Sequence, residues 1–182
     1  MEKIIPAARI TARHPTDTAL MDEVLQVYKP PCRYLTAADT LLADGTLGVA
    51  SEFSVPQPFY IENTGHFNAV EFVICLNQMM YYAVAKAVKE GMLAPFTEWQ
   101  PDDFWKRQLT DFLIVGMKTR FRRPVAAQRF HGEGRFVKLV QRDVGFQPLL
   151  IMDVACRFWD DDGGRAEGEI KAALVSPPTS GS

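Results

Sequence analysis

Apolar and polar positions along this chain change period several times, and each change predicts an element. Leu20, Met21, Val24, Leu25 and Tyr28 recur at helical spacing after Pro15-Thr16-Asp17, and Lys29-Pro30-Pro31 ends the run, because proline removes a donor and restricts the residue before it. The stretches Tyr34–Leu42 and Leu47–Val55 flank Asp44-Gly45, a hairpin turn signal. In the second, Leu47, Val49, Phe53 and Val55 fall on one face, as a half-buried strand requires. The longest run, from Asn68 to about residue 90, is nearly all apolar and free of Gly and Pro. It predicts one helix of about six turns, buried nearly all round.

Gly91 breaks that helix, and Pro101-Asp102-Asp103 predicts the first turn of a short one, its acids placed well for the helix dipole. Three strand-like runs follow at about 109–123, 128–142 and 147–159, and Gly116, Gly132 and Gly134 within them suggest bulges or close backbone approach. After the turn Asp160–Gly164 a last strand alternates cleanly, with Ala166, Gly168, Ile170, Ala172 and Leu174 on one face and Arg165, Glu167, Glu169 and Lys171 on the other. The sum is an α+β fold, a long helix wrapped by a curved antiparallel sheet, in one domain over 16–175. Residues 1–15 are expected to be a loosely tied arm and 176–182 a flexible tail.

Composition narrows the function classes. A length of 182 residues suits one domain, and a net charge of −2 leaves no basic excess for general nucleic-acid binding. The N-terminus lacks the apolar stretch of a secretory signal, and Glu71, Asn77, Gln78, Lys86 and Lys89 would be costly in lipid, so no membrane association is expected. Cys32, Cys75 and Cys156 are scattered with no CxxC, which suggests reduced thiols in a cytoplasm. Histidines at 14, 66 and 131 show no metal-ligand spacing, and there is no Gly-rich phosphate loop and no GxSxG.

Most of the polar chemistry gathers where the long helix begins. His66, Asn68 and Glu71 follow the turn-prone Asn63-Thr64-Gly65, at a helix end whose unpaired backbone N–H groups can stabilise a polarised carbonyl. Glu71 could act as a general base, and His66 titrates near neutrality. The same spacing also makes Asn68 and Glu71 a near capping box, a purely structural device. Asn77 shares helical spacing with this end, and as an amide in an apolar run it needs a partner, either a substrate carbonyl or a neighbouring strand. Tyr28 and Tyr60, beside prolines, could line a pocket. Arg120 and Arg122 fall on one strand face, suited to a carboxylate or phosphate, or simply solvated. Cys75, mid-helix in an apolar run, should be an inert thiol.

The run NTGHFNAVEFVICLNQMMY resembles the central segment of the FcoT-type thioesterases, a hot-dog family acting on fatty acyl thioesters. VLQVYKPPCRYL (24–35), RFRRP (120–124) and RFWDDDGGRAEGEI (157–170) resemble family segments in the same order. The resemblance implies a double hot-dog dimer, often assembled further, with an acyl channel beside the long helix. It implies active-site positions at Tyr28, Tyr60, Asn68 and Asn77, with His66 and Glu71 in the shared motif. Gly65 and Phe67 of that motif join Tyr28, Arg33, Arg120 and Arg122 as candidate substrate-binding positions.

The family divides between acyl-CoA thioesterases and thioesterase-like lyases. The lyases add the amine of glycine to C3 of an α,β-unsaturated acyl group on an acyl carrier protein, in isonitrile-lipopeptide and β-amino-acid polyketide pathways. Neither Ser nor Cys stands at the helix junction to act as a nucleophile. Conjugate addition needs donors at the thioester oxygen, a base for the amine proton and a cation such as Arg33 or Arg120 for the glycine carboxylate. Glycine addition to a (2E)-enoyl carrier-protein thioester is therefore the leading expectation. Hydrolysis of a long-chain acyl thioester is the alternative, and a non-catalytic lipid-binding module is a third. No bound cofactor is expected beyond the substrate's own phosphopantetheine.

Overall fold

The structure, a computed structural model, describes residues 4–5, 9–62, 64–144 and 147–178. In chain order the elements are β1 (Ile10–His14), α1 (Thr18–Leu25), β2 (Leu35–Ala43), β3 (Thr46–Phe53), α2 (Ala69–Glu90), α3 (Pro101–Arg107), β4 (Phe112–Arg123), β5 (Phe130–Val144), β6 (Gln147–Trp159) and β7 (Arg165–Val175). The strands form one seven-stranded sheet in the order β1-β2-β3-β5-β6-β7-β4, with every neighbouring pair antiparallel. Strand β4 follows α2 in sequence yet joins the far edge beside β7, so the chain crosses α2 before the sheet is completed.

The central helix is fixed at both ends by local chemistry. Asn68 caps the start, and Gly91 ends it in the left-handed region (φ 56°), where a residue with a Cβ would be strained. Phe72, Cys75, Leu76, Met79, Tyr82 and Ala83 are fully buried against the sheet. Phe67 and Phe72 pack with Phe121 and Phe158, and Phe67 also meets Phe130, so aromatic rings fill the space between helix start and sheet. Gly168 lets the helix come this close: a Cβ there would lie 2.7 Å from the Phe72 ring. The expected bulge at Gly116 is present, as a register shift between Ile114 and Gly116.

Three features sharpen the sequence reading. Within the expected loose arm, Ile10–His14 pairs with β2 as an edge strand, and the side chain of Ile5 is buried with Leu41 and Ala43. Upstream, the Glu133 carboxylate accepts the backbone N–H of Ile5 at 2.7 Å and pairs with buried Arg157 at 2.8 Å. The short helix α3 begins at Pro101 as expected, and β4, the first of the three strand-like runs after it, starts three residues later than its pattern suggested. The alternating faces of β7 are as expected. Of the expected tail, only residues 176–178 are described.

Candidate active site at the start of the central helix

Asn68 precedes the first helical residue with extended backbone (φ −119°, ψ −173°), which aims its side chain back over the first turn. Its Oδ1 accepts from the backbone N–H of Val70 at 2.8 Å, and its own N–H donates to Glu71 Oε2 at 2.7 Å. The capping box expected from the spacing is therefore formed. It does not use up the carboxylate. Tyr60, from the loop before the helix, donates its hydroxyl to Glu71 Oε1 at 2.5 Å and lies 2.9 Å from Asn68 Oδ1. Glu71 is 1% exposed, and none of the ion pairs among the described residues involves it.

The carboxylate is held by an N–H, a hydroxyl and the positive end of a six-turn helix, with no cation paired to it among the described residues. Burial, with the Glu71 bond behind it, pushes the Tyr60 hydroxyl up to about 12, so it stays a neutral donor. Beside this cap, His66, Phe67, Asn68, Ala69, Phe121, Arg122, Arg123 and Pro124 line an open cavity of about 420 Å³. One end of the helix thus brings together a buried carboxylate, neutral donors and two guanidinium groups.

The remaining candidates divide. His66 is exposed, and its Nδ1 lies 3.0 Å from the Thr64 carbonyl; its ring makes no bond to Tyr60, Asn68 or Glu71. It borders the cavity but is not joined to the carboxylate, because its backbone turns outward to bridge Ala126. Gly65, at φ 77°, supplies the turn just before it. Phe67 is a core ring rather than a pocket wall alone. Tyr28, just past the end of α1, is half-buried, with burial first and then Tyr81 and Cys75 raising its hydroxyl well above the usual range. Cys75, fully buried, has its thiol raised by desolvation, as an inert cysteine should.

Asn77 is half-exposed, and its neighbour Gln78 is the buried amide. Gln78 accepts the backbone N–H of Tyr34 (3.0 Å) and Leu35 (2.9 Å) and donates to the Cys32 carbonyl (2.6 Å). The strand partner expected for one amide belongs to the other, since adjacent helical residues point about 100° apart. Arg33 is exposed and donates to the Tyr28 carbonyl at 3.1 Å, away from the cavity. Arg120 stands opposite Glu167 in the β4–β7 register and does not border this cavity, whereas Arg122 pairs with Glu167 at 3.3 Å and does. The sequence reading missed Arg123 as a cavity residue and missed Tyr34. The phenol of Tyr34 is buried near Glu71, a position that its place at a strand start did not disclose.

Residues 23–174 match the model of the FcoT-like thioesterase domain. The chain belongs to the FcoT-like thioesterase family. It is 46% identical over 164 residues to a (2E)-enoyl-ACP glycyltransferase of Streptomyces coeruleorubidus, covering 90% of this chain and 99% of that one. A protein of the same name from Mycobacterium marinum is 35% identical over 162 residues, covering 87% and 86% of the two chains. Among solved structures, a crystal structure from Syntrophus aciditrophicus provisionally named a thioesterase aligns with a TM-score of 0.51 at 12% identity, over 87% of this chain and 95% of that one. At that identity the likeness concerns the fold, which is the hot-dog arrangement of this family.

Proposed function

We propose that this FcoT-like enzyme adds glycine to C3 of a (2E)-enoyl group carried as a thioester on an acyl carrier protein. The observation that carries the reading is the buried Glu71 carboxylate, bonded to Tyr60 and the helix cap and paired with no cation. Relatives of this chain carry the corresponding name, and the thiol nearest Glu71, Cys75, is fully buried and raised by desolvation, which fits a reaction without an acyl-enzyme. As the glycine nitrogen attacks C3, the N–C3 bond forms and the C2=C3 electron pair moves toward the thioester oxygen. Glu71 takes the amine proton and returns it to C2, which gives the 3-(carboxymethylamino)acyl thioester and restores the carboxylate. Arg122 and Arg123, across the cavity from Asn68, suit the glycine carboxylate.

The partner copy fits the same reading. Strand β4 is a sheet edge and exposes Leu113, Ile114, Val115, Met117 and Phe121, while Val70 is exposed on α2. An open edge this apolar is a template for pairing, and a second copy of the chain would cover it in a homodimer.

Intact-mass analysis of a 2-enoyl carrier protein incubated with the enzyme tests the reaction. A gain of one glycine, seen only when glycine is present, supports it. Loss of the acyl group whether or not glycine is present would make the enzyme a thioesterase and overturn it.

A further inference from the structure

Tyr34 presents a puzzle of bonding. Its backbone is nailed at both sides: its N–H donates to Gln78 Oε1 at 3.0 Å, and its carbonyl accepts from Ser54 at 2.9 Å. Its side chain is 1% exposed; the Phe59 backbone N–H is directed at the hydroxyl oxygen, but the hydroxyl's own proton meets no acceptor among the described residues. It lies beside the Phe59 backbone and faces Glu71, Cys32 and Cys75, with Tyr60 close by. Buried hydroxyls nearly always find partners, and an orphan one inside a catalytic cluster calls for an explanation.

We propose that the Tyr34 hydroxyl is a further catalytic donor of this site, meeting the thioester oxygen as that oxygen gains charge. The inference rests on the reading of the site as one that acts on acyl thioesters. Tyr60 is already committed to Glu71 and Asn68, so it has no proton left to give the substrate. Tyr34 has its proton uncommitted, and burial, with Cys32 and Glu71 adding to it, holds the phenol up to about 12, so it remains a neutral donor at working pH. The charge sequence is also consistent: Glu71 becomes neutral on accepting the amine proton, just as the enolate oxygen forms in front of Tyr34. Tyr34 itself transfers no proton and ends the step unchanged.

The approach to Tyr34 runs through the segment that passes over it. Val55 and Phe67 are pinned by backbone bonds to Ala127 and Val125, and Tyr60 ties the stretch between them to α2. Phe59 and Ile61 on this stretch are 54% and 51% exposed. On this proposal the thioester oxygen takes the place of the Phe59 backbone beside the Tyr34 hydroxyl.

The Tyr34→Phe variant tests this, because it removes the uncommitted proton at the cost of only the Phe59 backbone contact. Thermal unfolding should be unchanged or slightly higher than wild type. The kcat for glycine addition should fall about 10²-fold, the usual cost of one such donor, with KM for glycine within about twofold. If the wild type proves to hydrolyse the thioester instead, the proposed reaction fails. Tyr34 is then judged on the hydrolytic kcat, since both reactions charge the same oxygen. If the wild type turns over neither, binding of a carrier protein bearing a saturated acyl amide supplies the readout, and the variant should bind at least tenfold more weakly. Wild-type kcat or wild-type affinity in Tyr34→Phe would overturn the proposal. So would a fall in activity matched by a fall in unfolding temperature, which marks a packing role.

Discussion

The two ends of α2 hold their carboxylates in opposite ways. At the C-terminal end Glu90 bonds Lys86 and His14, each at 2.5 Å, and Asp17 bonds Lys89 at 2.6 Å. These acids sit among cations, and their carboxyls are held below the usual range: Lys89 lowers Asp17, and Lys86 lowers Glu90. At the N-terminal end Glu71 is far more buried, and it is held by a hydroxyl and an N–H alone. Charge compensation makes the first end a clamp between helix, α1 and β1. Neutral donors alone hold the carboxylate at the second end, the one proposed as the base.

Four substitutions break or sharpen this contrast, in falling order of effect. Glu71→Ala removes base and cap together: glycine addition should drop about 10³-fold and stability by about 1 kcal/mol, read from steady-state rates and urea unfolding. Gln78→Leu acts first on stability, because it strands the N–H groups of Tyr34 and Leu35 and the Cys32 carbonyl; unfolding should show a loss of about 3 kcal/mol or more. A loss under about 1 kcal/mol would mean these groups find other partners. Tyr60→Phe should leave the cap intact and cost about 10- to 100-fold in rate, as expected for one hydrogen bond to a charged group. Glu90→Gln should cost only about 1 kcal/mol and leave the rate alone, as a clamp does.

The clamp also sets a pH dependence. Asp17 and Glu90 have folded-state values below their ordinary 3.8 and 4.5, so their stabilisation is complete above those values and is lost as pH falls through the depressed ones. Urea unfolding from pH 6 down to pH 3 should show the loss, and Glu90→Gln should flatten part of it. An equally steep loss in that variant would place the titration elsewhere.

Much of this was legible in the chain. Period-two alternation placed the strands, and the Gly-free apolar run placed α2 with its cap, because both depend on local spacing. The edge strand β1 was not legible: its alternation is polar and short, and only pairing with β2 organises it. Asn77 and Gln78 are adjacent amides, and only packing decides which one turns inward. His66 looked like part of the base because sequence proximity does not say which way a turn aims a ring. Tyr34 is separated from Glu71 by a hairpin and a long loop, so their meeting is a tertiary fact.

The decisive measurement is Glu71→Gln, followed by the rate of glycine addition to an enoyl carrier protein and by thermal unfolding of the same sample. Glutamine can still close a capping box but cannot take a proton. The account predicts a rate lower by about 10³-fold with an unfolding temperature close to wild type. A wild-type rate in that variant would contradict it and leave Glu71 a cap alone.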